Sequence, residues 1–186
     1  MSNIDKLKKL LYQKSFKYDD QPIFSLVSGK KSQFYIDCKM TTLSSSGLVL
    51  VGNIFYDLIS PLNIKGIGGL TLGADPIAIA TALIAGQNNK ELIPFVIRKE
   101  AKKHGLKKWI EGEIDVGDRV VIIDDVITTG GSTIQAIEKA EEFGLKIVKI
   151  IVLVDRQEGG KKNIQLKGYE VTSIFTKADL IFEYNK

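Results

Sequence analysis

The stretch Val120-Val121-Ile122-Ile123-Asp124-Asp125-Val126-Ile127-Thr128-Thr129-Gly130-Gly131-Ser132-Thr133 concentrates the chemistry of this chain. Four β-branched residues run into two adjacent carboxylates and then into a loop of hydroxyls and glycines. The apolar run suits a parallel strand covered on both faces. The charges begin where that strand should leave the sheet, at the carboxyl edge where open α/β sheets bind ligands. The small residues that follow let backbone N–H groups converge on a phosphate, and Ser132 and Thr133 open a helix whose positive end adds to the attraction. Two acids beside such a cradle would repel a bare polyphosphate. They suit neutral hydroxyls, such as those of a ribose, or a cation carried by the same ligand. A turn followed by a helix cap would explain one Asp here, but not the whole ensemble.

The commoner nucleotide signatures do not fit. Gly47 to Gly52 has Walker spacing, but Asn53 stands where the lysine belongs, and Gly66-Ile67-Gly68-Gly69-Leu70-Thr71 puts Thr71 in place of the third glycine of a dinucleotide fingerprint. No Gly-x-Ser-x-Gly elbow or His-Glu-x-x-His pair is present.

Two further segments carry chemistry. Arg98-Lys99-Glu100-Ala101-Lys102-Lys103-His104-Gly105-Leu106-Lys107-Lys108-Trp109 follows an apolar run and holds the chain's one histidine. Most such charge runs are solvated faces. A polar loop this long in a compact α/β domain is more often functional, and a basic lid closing over a pyrophosphate is the functional reading. Asp155-Arg156-Gln157-Glu158 follows the apolar run Ile150 to Val154. Arg156 could fork onto a substrate carboxylate or pair with Asp155 or Glu158, and its position leaves both open. Cys38 reads as a small packed side chain and Trp109 as a packing residue.

The elements that must position these groups follow from hydrophobic spacing. Ile4, Leu7, Leu10 and Leu11 predict an opening amphipathic helix. Ile23 to Val27 and Phe34 to Asp37 read as two short strands around a hairpin turn at Ser28 to Ser32. Ser44 to Ser46 offer N-caps for a helix to about Ile59. Thereafter strands at Lys65 to Gly69, Leu92 to Arg98, Arg119 to Ile123, Lys146 to Val154 and Glu170 to Phe175 are expected. They alternate with helices at Asp75 to Ala85 and Ser132 to Phe143, a loop through Gly160 and a short final helix. This rhythm predicts an α/β fold, a central parallel sheet flanked by helices. The N-terminal hairpin falls outside it, as a hood over the carboxyl edge.

Length and composition agree with one domain, residues 1–186, with a hood over about 1–40 and a core over about 41–186. The 186 residues are 44% hydrophobic, enough for a substantial core. A net charge of +4 suits anionic small molecules better than nucleic acid. One cysteine excludes an intramolecular disulfide and a cysteine zinc cluster. The first ten residues are too charged for a secretory core, and no apolar run approaches the roughly 18 residues of a membrane span. A cytoplasmic protein without membrane or nucleic-acid partners is expected.

The Asp124 to Ser132 segment closely resembles the 5-phosphoribosyl 1-diphosphate (PRPP) loop of type I phosphoribosyltransferases. Other segments narrow the likeness to the orotate phosphoribosyltransferase family over nearly the whole chain. Phe24-Ser25-Leu26-Val27-Ser28-Gly29-Lys30-Lys31-Ser32 resembles that family's hood, Arg98-Lys99-Glu100-x-Lys102-x-His104-Gly105 its catalytic loop, Gly68 to Pro76 its pyrophosphate loop, and Asp155 to Glu158 the segment of its orotate arginine. The resemblance implies a type I phosphoribosyltransferase fold and a pentosyltransferase that makes orotidine 5′-monophosphate and diphosphate from orotate and PRPP in de novo UMP synthesis. It also implies Mg²⁺ held mainly through PRPP rather than by protein ligands, and a homodimer whose catalytic loop is shared between subunits.

Residue by residue, it implies that Asp124 and Asp125 hold ribose, that Val126 and Ile127 belong to the PRPP-binding segment, that Thr128, Thr129, Gly130, Gly131 and Ser132 hold the 5′-phosphate, and that Arg98, Lys99, Lys102 and His104 contact the diphosphate. Lys102 and His104 are the catalytic pair, and Thr128 and Arg156 contact orotate. Two departures stand out: Val27 where some members carry Lys, and Leu72-Gly73 where some carry Tyr-Lys, so the contacts those lysines make elsewhere are either absent here or replaced, with Lys30 and Lys31 as the candidates. Two rivals share the Asp-Asp loop. A purine phosphoribosyltransferase is disfavoured by the hood and Arg156, and a PRPP-sensing regulator by the intact basic lid.

Overall fold

The computed structural model describes residues 1–25, 31–100 and 109–184. Six strands form the main sheet: β5 (Gly66–Leu70), β6 (Ile93–Ile97), β7 (Ile110–Glu111), β8 (Arg119–Ile127), β9 (Lys146–Asp155) and β10 (Val171–Thr176). Their order is β10-β9-β8-β5-β6-β7, and every pairing is parallel except the antiparallel edge pair of β6 and β7. The expected parallel sheet flanked by helices is therefore the observed one.

Period-two alternation along β8 divides the core between the sheet's two faces. Val121 and Ile123 join Leu7 and Leu11 of α1 (Asn3–Ser15), Val51 and Phe55 of α3 (Ser45–Ile59) and Ile77 of α4 (Asp75–Gln87). Val120 and Ile122 join Phe95, together with Ile137 and Ala140 of α5 (Gly131–Phe143) and Ile164 of α6 (Gly160–Gln165). All four β8 residues are fully buried, which is why that segment is continuously apolar. Sequence signals mark several ends. Ser2 caps α1 in a reciprocal box with Asp5, Ser44 Oγ accepts the Gly47 N–H at the start of α3, and Gly144 ends α5 in the left-handed region.

Four local expectations need correction. The strand expected to stop at Ile123 continues to Ile127, because β9 runs to Asp155 and keeps pairing it through Asp124↔Val152, Val126↔Val154 and Ile127↔Asp155. On the other side the ladder with β5 ends at Gly68↔Ile122, so the acids are released from one neighbour only. In the hood, β4 (Phe34–Ile36) pairs with β1 (Phe16–Tyr18), which was not anticipated, while β2 (Phe24–Ser25) pairs with β3 (Lys31–Ser32). Three residues are too few to show a period, so β1 was hidden behind the helix that precedes it. For the same reason the six-residue α6 and two-residue β7 lie within segments read as loops. Val27 and Lys30 lie outside the described residues.

Candidate active site

Asp124 and Asp125 sit in the carboxyl-terminal half of β8 at 6% and 5% exposure. Both oxygens of Asp124 are engaged once: Oδ1 accepts the Asp125 N–H at 3.0 Å and Oδ2 accepts the Thr133 hydroxyl at 2.7 Å, which leaves further acceptor capacity on each. Asp125 differs, because its buried Oδ2 has no hydrogen-bond partner among the described residues. Burial, and next the neighbouring Asp125 charge, push Asp124 up to about 7, while the bond from Thr133 works against the shift. Burial also raises Asp125, and the ammonium of Lys39 opposes that rise. A buried carboxylate oxygen without a donor is costly in a closed protein. It is reasonable where a ligand hydroxyl or cation completes it.

The following loop is anchored through its acceptors. The carbonyls of Ile127, Thr128 and Thr129 take bonds from Arg156 N–H (3.0 Å), Gly160 N–H (3.0 Å) and Asn163 Nδ2 (2.9 Å). Amide donors are then what the loop has left for an anion. Gly130 has φ of 85°, a conformation a side chain would strain, and it turns the chain into α5. A Cβ there would also come within 3.0 Å of the Gly160 carbonyl, so α6 clamps the loop from behind.

Two cavities meet at the acids. One of about 290 Å³ is lined by Asp124 and by Val126 through Thr133. The other, about 330 Å³, is lined by Lys39, Leu70 through Gly73, Lys99, Asp124, Asp125, Val126, Thr128 and Ser132. Sharing Asp124, Val126, Thr128 and Ser132, they form the two halves of one trough. A further cavity of about 470 Å³ continues past Thr71 and Lys99 to Arg98, whose Nη1 donates to Glu111 at 3.4 Å and whose buried Nε is unpartnered. A larger groove, about 500 Å³ between α1, α3 and β10, is mainly apolar and lacks such converging charge. Chemistry, rather than size, singles out the trough.

Asp124 to Ser132 and Lys99 are thus brought together, and Arg98 borders the same edge. Arg156 is outside the trough lining. Its Nε donates to Glu158 at 3.1 Å and its Nη2 lies 2.9 Å from the same carboxylate, out of line for a hydrogen bond. The guanidinium is 4.9 Å from the centre of the Phe34 ring, which docks it against the hood. Lys102 and His104 lie outside the described residues. The base of their loop is described: β6 pairs with β7, and Arg98 N–H donates to the Trp109 carbonyl at 2.9 Å, so the excursion leaves and returns at one point of the edge. Lys39 is a lining residue that sequence reasoning missed. The available signal was an Asp37-x-Lys39 pair at the exit of a hood strand that returns to the carboxyl edge.

The family model described as "Phosphoribosyl transferase domain" matches residues 78–178. The orotate phosphoribosyltransferase of Aquifex aeolicus is 42% identical over 177 residues, covering 95% of this chain and 97% of its own. The chain belongs to the orotate phosphoribosyltransferase family. Solved structures agree. Mycobacterium tuberculosis orotate phosphoribosyltransferase in complex with Fe(III) dicitrate has a TM-score of 0.83 at 32% identity, covering 96% of this chain and 99% of that one. The same enzyme in complex with PRPP has a TM-score of 0.76 at 29% identity, covering 96% and 91%. Among the described residues, no helix is long and apolar enough to cross a membrane.

Proposed function

We infer that this chain transfers the 5-phosphoribosyl group of PRPP to orotate, giving orotidine 5′-monophosphate and diphosphate, the pentosyltransfer step of de novo UMP synthesis. The observation that carries the reading is the unpartnered, buried Asp125 Oδ2 on a trough walled by the Thr128 to Ser132 loop. On this reading the two acids receive the ribose hydroxyls, Thr128 to Ser132 hold the 5′-phosphate with Val126 and Ile127 leading into that loop, and Arg98 and Lys99 face the diphosphate. Lys102 and His104 act on the leaving group, and Thr128 with Arg156 receives orotate. A PRPP complex of a relative with this fold supports the choice of donor.

Transfer forms a bond from an orotate ring nitrogen to the anomeric carbon while the bond to diphosphate breaks, its electron pair departs with the leaving group, and the proton of that ring N–H is released to diphosphate or water. No nucleophilic side chain is needed. The protein contributes alignment and stabilisation of charge on the leaving group, and a closed basic lid keeps out water that would hydrolyse PRPP. The acid pair fits a magnesium ion that arrives on the substrate, since Asp125 offers a free acceptor. Among the described residues no group of three or more His, Cys, Asp or Glu could hold a metal. Bound beside Asp125, Mg²⁺ would neutralise charge on the diphosphate.

We take the chain as one domain, hood 1–40 and core 41–186, working as a cytoplasmic homodimer. Dimerisation is supported by apolar side chains left exposed: Leu72, which lines the trough, and Ile79 and Leu83, which share a face of α4. Orotate consumption with PRPP and Mg²⁺ tests the reading. Turnover of orotate but not adenine or hypoxanthine is expected; turnover of a purine alone would overturn it.

A further inference from the structure

The trough must take a polyanion beside two buried carboxylates, and among the described residues its lining supplies two cations, Lys39 and Lys99. Lys39 opens α2 (Lys39–Thr42), and its backbone is fixed from below. Cys38 is fully buried, Thr41 shares a buried 2.7 Å hydrogen bond with Ser15 of α1, and the Lys39 N–H donates to Asp37 Oδ1 at 3.1 Å. The side chain is freer. Its ammonium rests 2.7 Å from Asp37 Oδ1, and the side chain as a whole remains 41% exposed. An ion pair in that setting is weak and readily exchanged.

Position decides which end of a ligand Lys39 can meet. It lines the half of the trough formed with Leu70 to Gly73 and Lys99, and is absent from the half formed by the Thr128 to Thr133 loop. The facing wall leaves no room for another cation at Gly73: a Cβ there would strike the Asp125 carboxylate. Partial burial disfavours the Lys39 charge, but the bond to Asp37 and the field of Asp125 outweigh it, so the ammonium stays protonated at neutral pH.

We propose that Lys39 is a PRPP-binding residue whose ammonium moves from Asp37 to the diphosphate when substrate enters the trough. This rests on the phosphoribosyl-transfer reading above. In the free chain Lys39 offsets the charge of Asp125. With substrate present it stands between that carboxylate and the incoming diphosphate, and its flexible four-carbon stem and three donors let it serve both.

The test uses the whole chain, with magnesium diphosphate in calorimetry and with PRPP plus orotate in turnover. Lys39→Ala is expected to weaken diphosphate binding and raise KM for PRPP by about ten- to a hundredfold, leaving KM for orotate within about twofold. Lys39→Arg should recover most of the loss. Lys39→Met, which keeps the apolar stem, gives the same readout if the alanine variant does not fold. Unchanged diphosphate affinity in Lys39→Ala or Lys39→Met overturns the proposal, as does an equal rise in both KM values. So does a Lys39→Arg chain as impaired as Lys39→Ala. A parent chain that leaves orotate unconsumed overturns the functional reading instead, and diphosphate binding by parent and variants still decides the role of Lys39.

Discussion

Asp124 and Asp125 are neighbours in sequence and equally buried, yet Asp124 has both oxygens engaged while Asp125 keeps a buried Oδ2 with no hydrogen-bond partner among the described residues. Asp124 is engaged by Thr133 and by the Asp125 N–H, an arrangement an amide can reproduce: Asn Oδ1 accepts the N–H and Nδ2 donates to the hydroxyl. Asp124→Asn should therefore fold, and it should gain stability where the native carboxylate is forced to ionise. With a folded value near 7 against an ordinary 3.8, the native state keeps a proton that the unfolded chain loses. Asp124 thus destabilises the free protein as pH rises from about 4 through about 7. Thermal melts of parent and variant should nearly coincide at pH 4 and diverge to several degrees in the variant's favour by pH 8, an order of magnitude set by the size of the chain. PRPP affinity should move the opposite way, weaker by about ten- to a hundredfold. Parallel melting curves across that range would sink the ionisation argument. For Arg156 the issue is the planar fork. Arg156→Lys keeps charge near Glu158 but loses Nη2, so KM for orotate should rise about tenfold while KM for PRPP holds. An unchanged orotate KM would make Arg156 a strut between Glu158 and Phe34.

At the scale of elements, the site stands where β8 outlasts one neighbour and not the other. Its apolar run announced a buried strand, and the alternation of strand and helix announced the sheet, because both depend on periods that six to fifteen residues display. The length of β8 was not legible. It depends on β9, more than twenty residues away, continuing to pair past the acids. Hood strand β1 and helix α6 were invisible for the related reason that their stability comes from partners rather than from pattern: Phe16–Tyr18 is a strand because Phe34–Ile36 lies beside it. The chemistry-bearing residues of the trough were legible wherever they cluster in sequence. Lys39 was not, since it reaches Asp125 only through the path of the hood. Gly73 depends on the same tertiary approach, its Cα lying against the Asp125 carboxylate. Gly73→Ala must displace either the loop or that carboxylate. PRPP turnover should fall at least about tenfold with a melting change of no more than about 2 °C, because the loop borders a cavity rather than the core. Parental turnover would show that the loop yields freely.

At the scale of the whole molecule, the proposed homodimer would join pieces carried by two chains. The described residues on either side of the basic segment meet where β6 pairs with β7, and exposed Leu72, which lines the trough, and exposed Ile79 and Leu83 on α4 offer apolar surface. A two-fold dimer closed on that surface could carry each subunit's basic loop toward its neighbour's acids. Lys102→Ala and Asp125→Asn should then each be nearly inactive alone, since every site lacks one essential part. Co-refolded in equal amounts, they should complement. In a heterodimer the site with intact Asp125 belongs to the Lys102→Ala chain and borrows a sound loop from its partner, while the other site combines both defects. Random pairing places about half the chains in heterodimers with one working site of two, so roughly a quarter of parental activity should return. A loop serving its own chain yields no recovery, because the two defects then sit in separate sites whatever the pairing. Activity no higher than the mean of the two variants, with heterodimers verified by mass, would rule out the shared site and return Lys102 to its own subunit.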